Sequence, residues 1–215
     1  KIYDHKILKN YCKVIGIKYL CTPFCLKAAH ELNQIGVDMF KIGSGEFTDL
    51  PFINGVLKLK KPVIFSTGMT TPKEMMKIYK FIKSRNRSEF AFLNCTSEYP
   101  PRYEDLNLNY IKKMISNFKG TVIGHSDHTN DIYSSLAAVT LGAKIVEKHV
   151  NLDNLNYGPD RHVSISFKKF SIPFLKIFVP NLLRSSISNT GGKSPILGVF
   201  FKKFSNCFVE FSFGR

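Results

Sequence analysis

Short apolar runs alternate with amphipathic segments through most of this chain. The apolar runs are residues 18–22, 39–43, 62–67, 90–95, 121–124 and 144–150. Short β-branched and aromatic runs of this kind are typical of buried strands. Segments with the apolar spacing of a helix lie between them, near residues 25–35, 49–59, 72–84, 107–118 and 131–141. The alternation predicts a parallel sheet with right-handed crossovers, which is either an open doubly wound sheet or most of a (β/α)8 barrel.

Local signals mark the start of several predicted helices. Residues 4–14 are predicted to be the end of a helix whose own preceding strand is absent. Thr71 and Glu74 have the spacing of a capping box, in which two side chains bond reciprocally to the backbone at a helix start. Asn130 is the predicted N-cap of the last helix.

The composition is that of a globular α/β domain followed by a different segment. Of the 215 residues, 44% are hydrophobic and 22% are charged, which suits a domain with a sizeable core. After about residue 170 the chain becomes rich in Phe and Ser and loses the strand–helix alternation. We therefore predict an α/β domain over residues 1–170 and a tail of unassigned structure over residues 171–215.

Nothing in the composition indicates a membrane or an oxidising compartment. No apolar run approaches the roughly 18 residues that a membrane span needs. Residues 1–6 lack the apolar block of a secretory signal. The five cysteines form no CxxC pair and no regular framework, which is typical of a reducing compartment. We expect a cytoplasmic protein with no membrane partner.

The formal net charge of +15 narrows the choice of ligands only partly. The lysines are spread along the chain, and no known nucleic-acid motif accompanies them. We therefore expect no nucleic-acid partner. An anionic small substrate is compatible with the charge.

Two histidines end apolar runs and are the leading candidates for chemistry. His128 follows the run that begins at Thr121, and His149 lies at the end of the run that begins at Lys144. The carboxyl ends of parallel strands are where α/β proteins place their sites, and two neutral imidazoles converging there suit a divalent transition metal. Core histidines with satisfied hydrogen bonds are the alternative. Asp127 and Glu147, beside them in sequence, are candidates for orienting the ligands.

Each of the six predicted strands is followed by a hydroxyl, a charge or an imidazole. Besides the two histidines these are Thr22, Lys41, Ser44, Ser66, Ser97 and Ser126. Lysine, hydroxyls and backbone N–H groups together can hold phosphate oxygens. Hydroxyls that end single strands are usually caps or turn formers. Their recurrence at successive strand ends favours one shared site.

At these positions the chain resembles the N-acetylneuraminate (sialic acid) synthases and their legionaminic and pseudaminic acid relatives. The matching motifs are Cys21–Phe24, Lys41–Glu46, Phe65–Met69, Cys95–Pro100, Tyr103–Asn107, Gly124–His128, Glu147–His149 and Gly158–Asp160. They occur in the order and spacing of the family. The resemblance implies a (β/α)8 TIM barrel, here incomplete with about six β/α units, that condenses phosphoenolpyruvate with an N-acetylated amino sugar such as N-acetylmannosamine.

The resemblance also implies a role for each matched residue. His128 and His149 would hold Mn²⁺ or Mg²⁺. Phosphoenolpyruvate would contact Thr22, Lys41, Ser44, Ser66 and Ser126, and also Ser97, which stands where some relatives have Asn. Tyr99 and Asp160 would face the sugar and, with Lys41, form the catalytic set. Members of the family are homodimers.

Two departures from the family leave other functions open. The resemblance implies that the first two β/α units and the carboxyl-terminal antifreeze-like domain are missing from this chain. A truncated remnant that binds metal or phosphate without turnover is therefore an alternative to a synthase. A barrel metallohydrolase that uses the same histidine pair is a third hypothesis, which is disfavoured because such sites generally need more ligands.

Overall fold

A single parallel sheet of six strands forms the centre of the fold. The computed structural model describes residues 2–85, 88–151, 159–166 and 169. The strands are β1 (Leu20–Cys21), β2 (Met39–Ile42), β3 (Val63–Ser66), β4 (Phe90–Cys95), β5 (Val122–Asp127) and β6 (Val146–Lys148). They lie side by side in sequence order, and every neighbouring pair is parallel. A doubly wound sheet reverses its strand order at a switch point, so this order identifies a curled half-barrel of the TIM type.

Helices alternate with the strands as the apolar pattern predicts. They are α1 (Ile2–Ile15), α2 (Leu26–Gln34), α3 (Leu50–Leu57), α4 (Pro72–Arg85), α5 (Tyr110–Asn117) and α6 (Tyr133–Thr140). Two short 3₁₀ helices follow β4 and β6, at Tyr103–Leu106 and Pro159–His162. A small second sheet pairs β7 (Val150–Asn151) with β8 (Ile165–Ser166) in parallel. The predicted helix at residues 4–14 is confirmed as α1.

Strand alternation divides the apolar core into two layers, one on each face of the sheet. The convex face packs against the helices, and Phe92 lies in its middle, with ring centroids 5.5 Å from Phe47 and 5.9 Å from Phe65. The concave face carries a smaller buried cluster of Met39, Ile64, Ala91, Leu93 and Ile145. Successive residues of a strand therefore serve different layers.

The structure confirms one predicted helix cap and corrects the other. The Thr71 backbone N–H donates to Glu74 Oε2 at 2.8 Å, and the Glu74 N–H donates to Thr71 Oγ1 at 3.3 Å, which is the predicted capping box. Asn130 does not cap α6. Asp131 instead accepts a hydrogen bond from the Tyr133 N–H at 2.9 Å, because the chain makes one further turn before the helix begins.

Strand β5 is longer than the apolar pattern predicts. The predicted run ends at residue 124, but β5 continues to Asp127 because three further residues pair with β6. The polar residues that the pattern places in a loop are therefore held in the sheet. Residues 170–215 lie outside the described residues, so the tail stays a prediction. None of the described helices combines the length and the apolar character that a membrane span requires.

Candidate functional site

Polar side chains replace the apolar cluster of the concave face towards the carboxyl ends of the strands. The alternation there presents Lys41 on β2, Ser66 on β3, Cys95 on β4, Ser126 on β5 and Glu147 on β6. Sheet pairing places Cys95 beside Ser126 and Ser126 beside Glu147. These five residues therefore form one row across the mouth of the half-barrel, which we call the polar row.

A buried ion pair lies within the polar row. Lys41 Nζ is 2.6 Å from Glu147 Oε1, and the two side chains are 8% and 10% exposed. Ser66 Oγ donates to Glu147 Oε2 at 3.4 Å. Burial of two charges is costly unless each is paired and hydrogen-bonded, and here each stabilises the other. The pair gives this end of the site a cation that is held in place.

The two candidate histidines lie together beyond the polar row. The ring centroids of His128 and His149 are 5.2 Å apart. His128 Nδ1 is 2.9 Å from the Thr96 carbonyl oxygen, so the neutral ring carries its proton on Nδ1 and leaves a lone pair on Nε2. Tyr99 OH lies 3.1 Å from that Nε2, and Ser126 Oγ lies 3.5 Å from it. The sequence-based expectation that the two imidazoles converge is thus met by the geometry.

His149 has a nitrogen without a hydrogen bond. Its Nδ1 is buried and, within the part of the chain that the structure describes, makes no hydrogen bond. Asp160 Oδ2 is 3.7 Å away, which is too long for a hydrogen bond but close enough for electrostatic attraction. Tyr99 lies with its ring centroid 6.1 Å from that of His149. Tyr99 and Asp160 therefore flank the histidine pair.

The serines of two loops close the site near β3 and β4. Ser44 Oγ donates to Cys95 Sγ at 3.5 Å. A side-chain carbon at Gly68 would collide with Ser44 Oγ and Ser97 Oγ, so the glycine lets these two hydroxyls approach each other. Thr22 follows β1, the edge strand next to that of Lys41, and its side chain is half-buried. The hydroxyls predicted from strand ends thus gather around one mouth, with Thr22 at its edge.

The charges in the site shift several pKa values. Burial would lower the pKa of His128, but the Cys95 thiol, the Thr96 carbonyl and Glu147 outweigh it and raise that pKa. Burial lowers the pKa of His149, and the neighbouring His128 lowers it further. His149 is therefore the imidazole that stays neutral more readily, and His128 the one that holds a proton more readily.

Two further groups have shifted pKa values for related reasons. Burial, reinforced by Cys95, Asp160 and Glu147, raises the pKa of Tyr99 to about 12, so its phenol is protonated at neutral pH and donates to His128. Burial would raise the pKa of the Cys95 thiol, but the hydrogen bond and charge of His128 and the Ser44 hydroxyl lower it. Cys95 and His128 therefore act as an electrostatic pair.

The structure corrects the role expected for Asp127 and gives Glu147 two partners that the sequence did not indicate. Asp127 faces the helices and contacts Lys148, Thr129 and Ser135, so it bonds to neither histidine. Glu147 faces the mouth, but its two carboxylate oxygens bond to Lys41 and Ser66. Alternation explains the result for Asp127, because the neighbour of a ligand in a strand points to the opposite face, whereas Glu147 lies two residues before His149 and shares its face.

The histidine pair fits a divalent cation that takes few protein ligands. The observation that supports the fit is the buried, unbonded Nδ1 of His149 beside the lone pair on His128 Nε2. Among the described residues no group of three or more His, Cys, Asp and Glu side chains is placed to hold a metal. A cation here would therefore rely on water or substrate for its remaining positions.

Sequence reasoning missed two participants in this region and one pairing. Cys95 was quoted only within a motif, and Lys148 was given no role. The pairing of Glu147 with Lys41 joins residues 106 positions apart, and no local pattern reports it. Strand alternation, applied to β4 and β6, is the signal that places Cys95 and Glu147 with Ser66 on one face.

Comparison with known proteins places this site in a family. The chain matches the model of the NeuB family over residues 2–176. It is 40% identical over 163 residues to the N,N'-diacetyllegionaminic acid synthase of Campylobacter jejuni, covering 75% of this chain and 48% of that protein. It is 35% identical over 162 residues to the human N-acetylneuraminate-9-phosphate synthase, covering 75% of this chain and 45% of that protein.

A solved structure supports the same assignment. The N-acetylneuraminic acid synthetase of Leptospira borgpetersenii, solved in complex with citrate, superposes with a TM-score of 0.77 at 28% identity, covering 91% of this chain and 66% of that one. The chain spans about half the length of the curated relatives it matches. On the family match, the sequence identity and the shared architecture, the chain belongs to the NeuB family, whose members named here are sialic-type acid synthases.

Proposed function

We propose that this chain carries the reaction centre of a synthase that joins phosphoenolpyruvate to an N-acetylated amino sugar, N-acetylmannosamine or a close relative. The products are a sialic-type acid and phosphate. One observation carries the proposal: the Lys41–Glu147 ion pair and the His128–His149 pair share one concave face, joined through β6. An anion site beside a candidate cation site suits a reaction between an anionic enol and a carbonyl.

The polar row and its neighbouring loops bind phosphoenolpyruvate in this proposal. Lys41 attracts the phosphate and carboxylate, and hydroxyls donate to their oxygens. Those hydroxyls belong to Thr22, Ser44, Ser66, Ser97 and Ser126. Donors fixed by a buried sheet hold the enol in one orientation and need no reorganisation during reaction, which contributes to rate through position and electrostatics.

His128 and His149 would hold the divalent cation, Mn²⁺ or Mg²⁺. When bound, such a cation polarises a carbonyl oxygen and lowers the pKa of a water. Tyr99, protonated at neutral pH, donates a hydrogen bond to the sugar, and Asp160 accepts one. These two residues flank the histidines and so orient the aldehyde towards the enol.

The reaction balances with one water. The methylene carbon of phosphoenolpyruvate bonds to the aldehyde carbon, whose oxygen takes a proton and becomes a hydroxyl. The water oxygen adds to the enol carbon, and phosphate leaves with the oxygen that joined it to that carbon. Loss of a proton from the added oxygen gives the keto acid. The side chains of the mouth serve this sequence by holding both carbons in contact.

A phosphate-release assay tests the proposal. Phosphoenolpyruvate, N-acetylmannosamine and Mn²⁺ are incubated with the chain, and we expect phosphate that depends on both substrates. Lys41→Met should abolish release. His128→Ala and His149→Ala should each abolish tight Mn²⁺ binding in electron paramagnetic resonance, whereas His30→Ala, at an exposed position on α2, should preserve it. Retained Mn²⁺ affinity in both histidine variants would refute the metal assignment.

A second candidate function is binding without turnover. The observation that favours it is the small number of candidate metal ligands, because among the described residues no group of three or more His, Cys, Asp and Glu side chains is placed to hold a metal. This candidate predicts that Mn²⁺ and phosphate bind with the same dependence on His128 and Lys41. It also predicts that no phosphate is released when both substrates are present.

A further inference from the structure

A second buried ion pair lies directly behind the histidines, on the convex face. Lys148 Nζ is 3.0 Å from Asp127 Oδ1, and both side chains are 0% exposed. The two residues are also register partners in the pairing of β5 with β6. Each immediately precedes a candidate metal ligand in sequence, since His128 follows Asp127 and His149 follows Lys148.

Hydrogen bonds extend this pair into a network that joins three elements and a loop. Asp127 Oδ1 accepts from the Thr129 N–H at 2.8 Å and from Thr129 Oγ1 at 2.7 Å. Asp127 Oδ2 accepts from the Ser135 hydroxyl in the first turn of α6. Lys148 Nζ also donates to the Thr129 carbonyl oxygen. The network therefore links the end of β5, the loop after it, the end of β6 and the start of α6.

Stability alone does not account for such a pair. Removing two charges from water costs several kcal/mol per ion, and apolar replacement of a buried pair is often neutral or stabilising. Away from the carboxyl ends of the strands, the convex face between sheet and helices is apolar, including Ile123 four residues earlier on β5, whereas Asn94 and His125 are buried polar residues closer to the pair. Burial of the two charges is therefore not by itself a gain for folding. An ion pair adds the requirement that two particular charged groups lie opposite each other, and this fixes the register of the strands that carry them.

We infer that Asp127 and Lys148 are positioning residues that hold the ends of β5 and β6 in the register that brings the His128 and His149 imidazoles together. The inference deepens the proposed function and rests on it for its purpose. The pair touches neither the substrates nor the proposed cation. It acts through the backbone of the next residue in each strand, because adjacent residues share a peptide bond but face opposite sides of the sheet.

The first test needs no metal. The variant Asp127→Asn/Lys148→Met removes both charges at similar side-chain volume. In metal-free protein with labelled histidines, we expect a nuclear Overhauser effect between the His128 and His149 rings, whose centroids are 5.2 Å apart. The effect should be lost or strongly weakened in the double variant. Ile123→Val, which loosens packing on the same face of β5 without touching the ion pair, should keep it.

The second test measures Mn²⁺ affinity by electron paramagnetic resonance. Groups that orient metal ligands typically contribute 10- to 100-fold to affinity, and we expect a loss of roughly that size in the double variant. Ile123→Val should bind Mn²⁺ as the wild type does. If the double variant does not fold, Ser135→Ala replaces it, since that change removes only one donor to Asp127 and should weaken both readouts in the same direction.

Three results would overturn the inference. The first is a nuclear Overhauser effect between the two histidine rings that is unchanged in the folded variants. The second is the absence of this effect in the wild type, and the third is an equal loss of it in Ile123→Val. If the wild type binds no Mn²⁺ at all, the metal assignment in the proposed function fails instead. The ring–ring measurement still decides the inference in that case, because it is made without metal.

Discussion

Tyr99 occupies the lone pair of His128 that a cation would need. Its hydroxyl donates to His128 Nε2 at 3.1 Å, and the two rings stack with centroids 4.2 Å apart. A cation on Nε2 must therefore displace this hydrogen bond. The displaced phenol then becomes available as a donor to the sugar, which is the role the proposed function gives it.

This competition predicts that Tyr99→Phe tightens Mn²⁺ binding. A net hydrogen bond contributes about 0.5–1.5 kcal/mol, so its removal should strengthen affinity by roughly two- to tenfold. Tyr103→Phe is the matched control, because the Tyr103 hydroxyl bonds to Asp131 on a neighbouring loop and not to a histidine. Titration of both variants with Mn²⁺ measures the effect. Weaker binding in Tyr99→Phe would mean that the phenol supports the cation and does not compete with it.

Glu147 neutralises the cation that phosphate would bind. We predict that Glu147→Gln raises the affinity for inorganic phosphate, because Lys41 then loses its carboxylate partner at 2.6 Å. The same change should lower the free energy of unfolding by about 3–5 kcal/mol, since it leaves a buried ammonium without a counter-ion. Calorimetric titration and urea denaturation measure the two effects.

Glu46→Gln provides the control for that change. Glu46 lies in the loop that carries Ser44, and its side chain is half-buried. We expect its phosphate affinity and its stability to stay near the wild-type values. Equal effects in the two variants would show that net charge, and not the pairing with Lys41, controls anion binding.

At the scale of single residues, sequence reasoning found the members of the site but not their partners. Lys41, His128 and His149 were identified because each ends an apolar run, and strand ends are a local property. The contacts of Glu147 and Asp127 depend on which strands lie side by side. That information is absent from any one segment, so the role predicted for Asp127 was wrong and the pairing of Glu147 with Lys41 was not foreseen.

At the scale of elements, Gly124 on β5 leaves no room for a side chain between β5 and its neighbours on either side. A side-chain carbon there would lie 2.5 Å from the Ile145 carbonyl oxygen and 2.5 Å from Leu93 Cδ2. We predict that Gly124→Ala destabilises the fold by about 1–3 kcal/mol, because the sheet backbone cannot move aside. Gly45→Ala, where nothing lies within 4 Å of the added carbon, should be neutral. Urea denaturation compares them, and equal stabilities would contradict the close packing around Gly124.

The ion pair that links β5 and β6 predicts a dependence of stability on pH. Burial would raise the pKa of Asp127, but Lys148, His125 and the hydroxyls of Ser134 and Ser135 hold it below its ordinary value of 3.8. The contribution of Asp127 to stability is therefore complete above pH 3.8 and is lost as the pH falls through the lower, folded-state pKa.

The comparison that isolates this contribution uses Asp127→Asn/Lys148→Met. Its unfolding free energy is measured beside that of the wild type from pH 7 to pH 2.5. We expect the difference to be constant above about pH 4 and to shift in favour of the variant below it. A difference that stays constant through the acid range would mean that the pKa of Asp127 is the same in the folded and the unfolded protein.

Element order and type were predicted well from the sequence, and element ends less so. All six strands and the helices between them were expected, because apolar periodicity is local and strong here. Strand β5 extends beyond its apolar run since pairing with β6, a long-range contact, holds polar residues in the sheet. Whether Asn130 or Asp131 bonds to the first backbone N–H of α6 depends on loop geometry that spacing does not fix.

At the scale of the whole molecule, spacing left two architectures open. A doubly wound sheet and a barrel share the same β/α repeat and differ only in which strands are neighbours. The sequential strand order settles this in favour of a half-barrel. The resemblance to a family predicted the barrel before the structure was known, whereas the apolar periodicity of this chain did not distinguish a barrel from a doubly wound sheet.

Net charge is the other property of the whole chain that bears on function. With a formal charge of +15, the protein should attract anions over a distance that salt shortens. We predict that phosphoenolpyruvate binds roughly tenfold more slowly at 0.5 M than at 0.05 M salt. Stopped-flow measurements test this, with N-acetylmannosamine as the uncharged control. Equal salt sensitivity of the two ligands would argue against long-range attraction.

The concave face of the sheet carries the candidate site, and the convex face packs against the helices. For this reason β5 and β6 do not tolerate a change in length. Inserting or deleting one residue within Val122–Asp127 would turn every later side chain of the strand over. The Asp127 carboxylate would then enter the mouth and the His128 ring would enter the apolar layer beneath the helices. Single substitutions along these strands can be graded in their effects. An insertion or deletion of one residue, in contrast, would move the functional side chains off the concave face and bring the buried ones onto it.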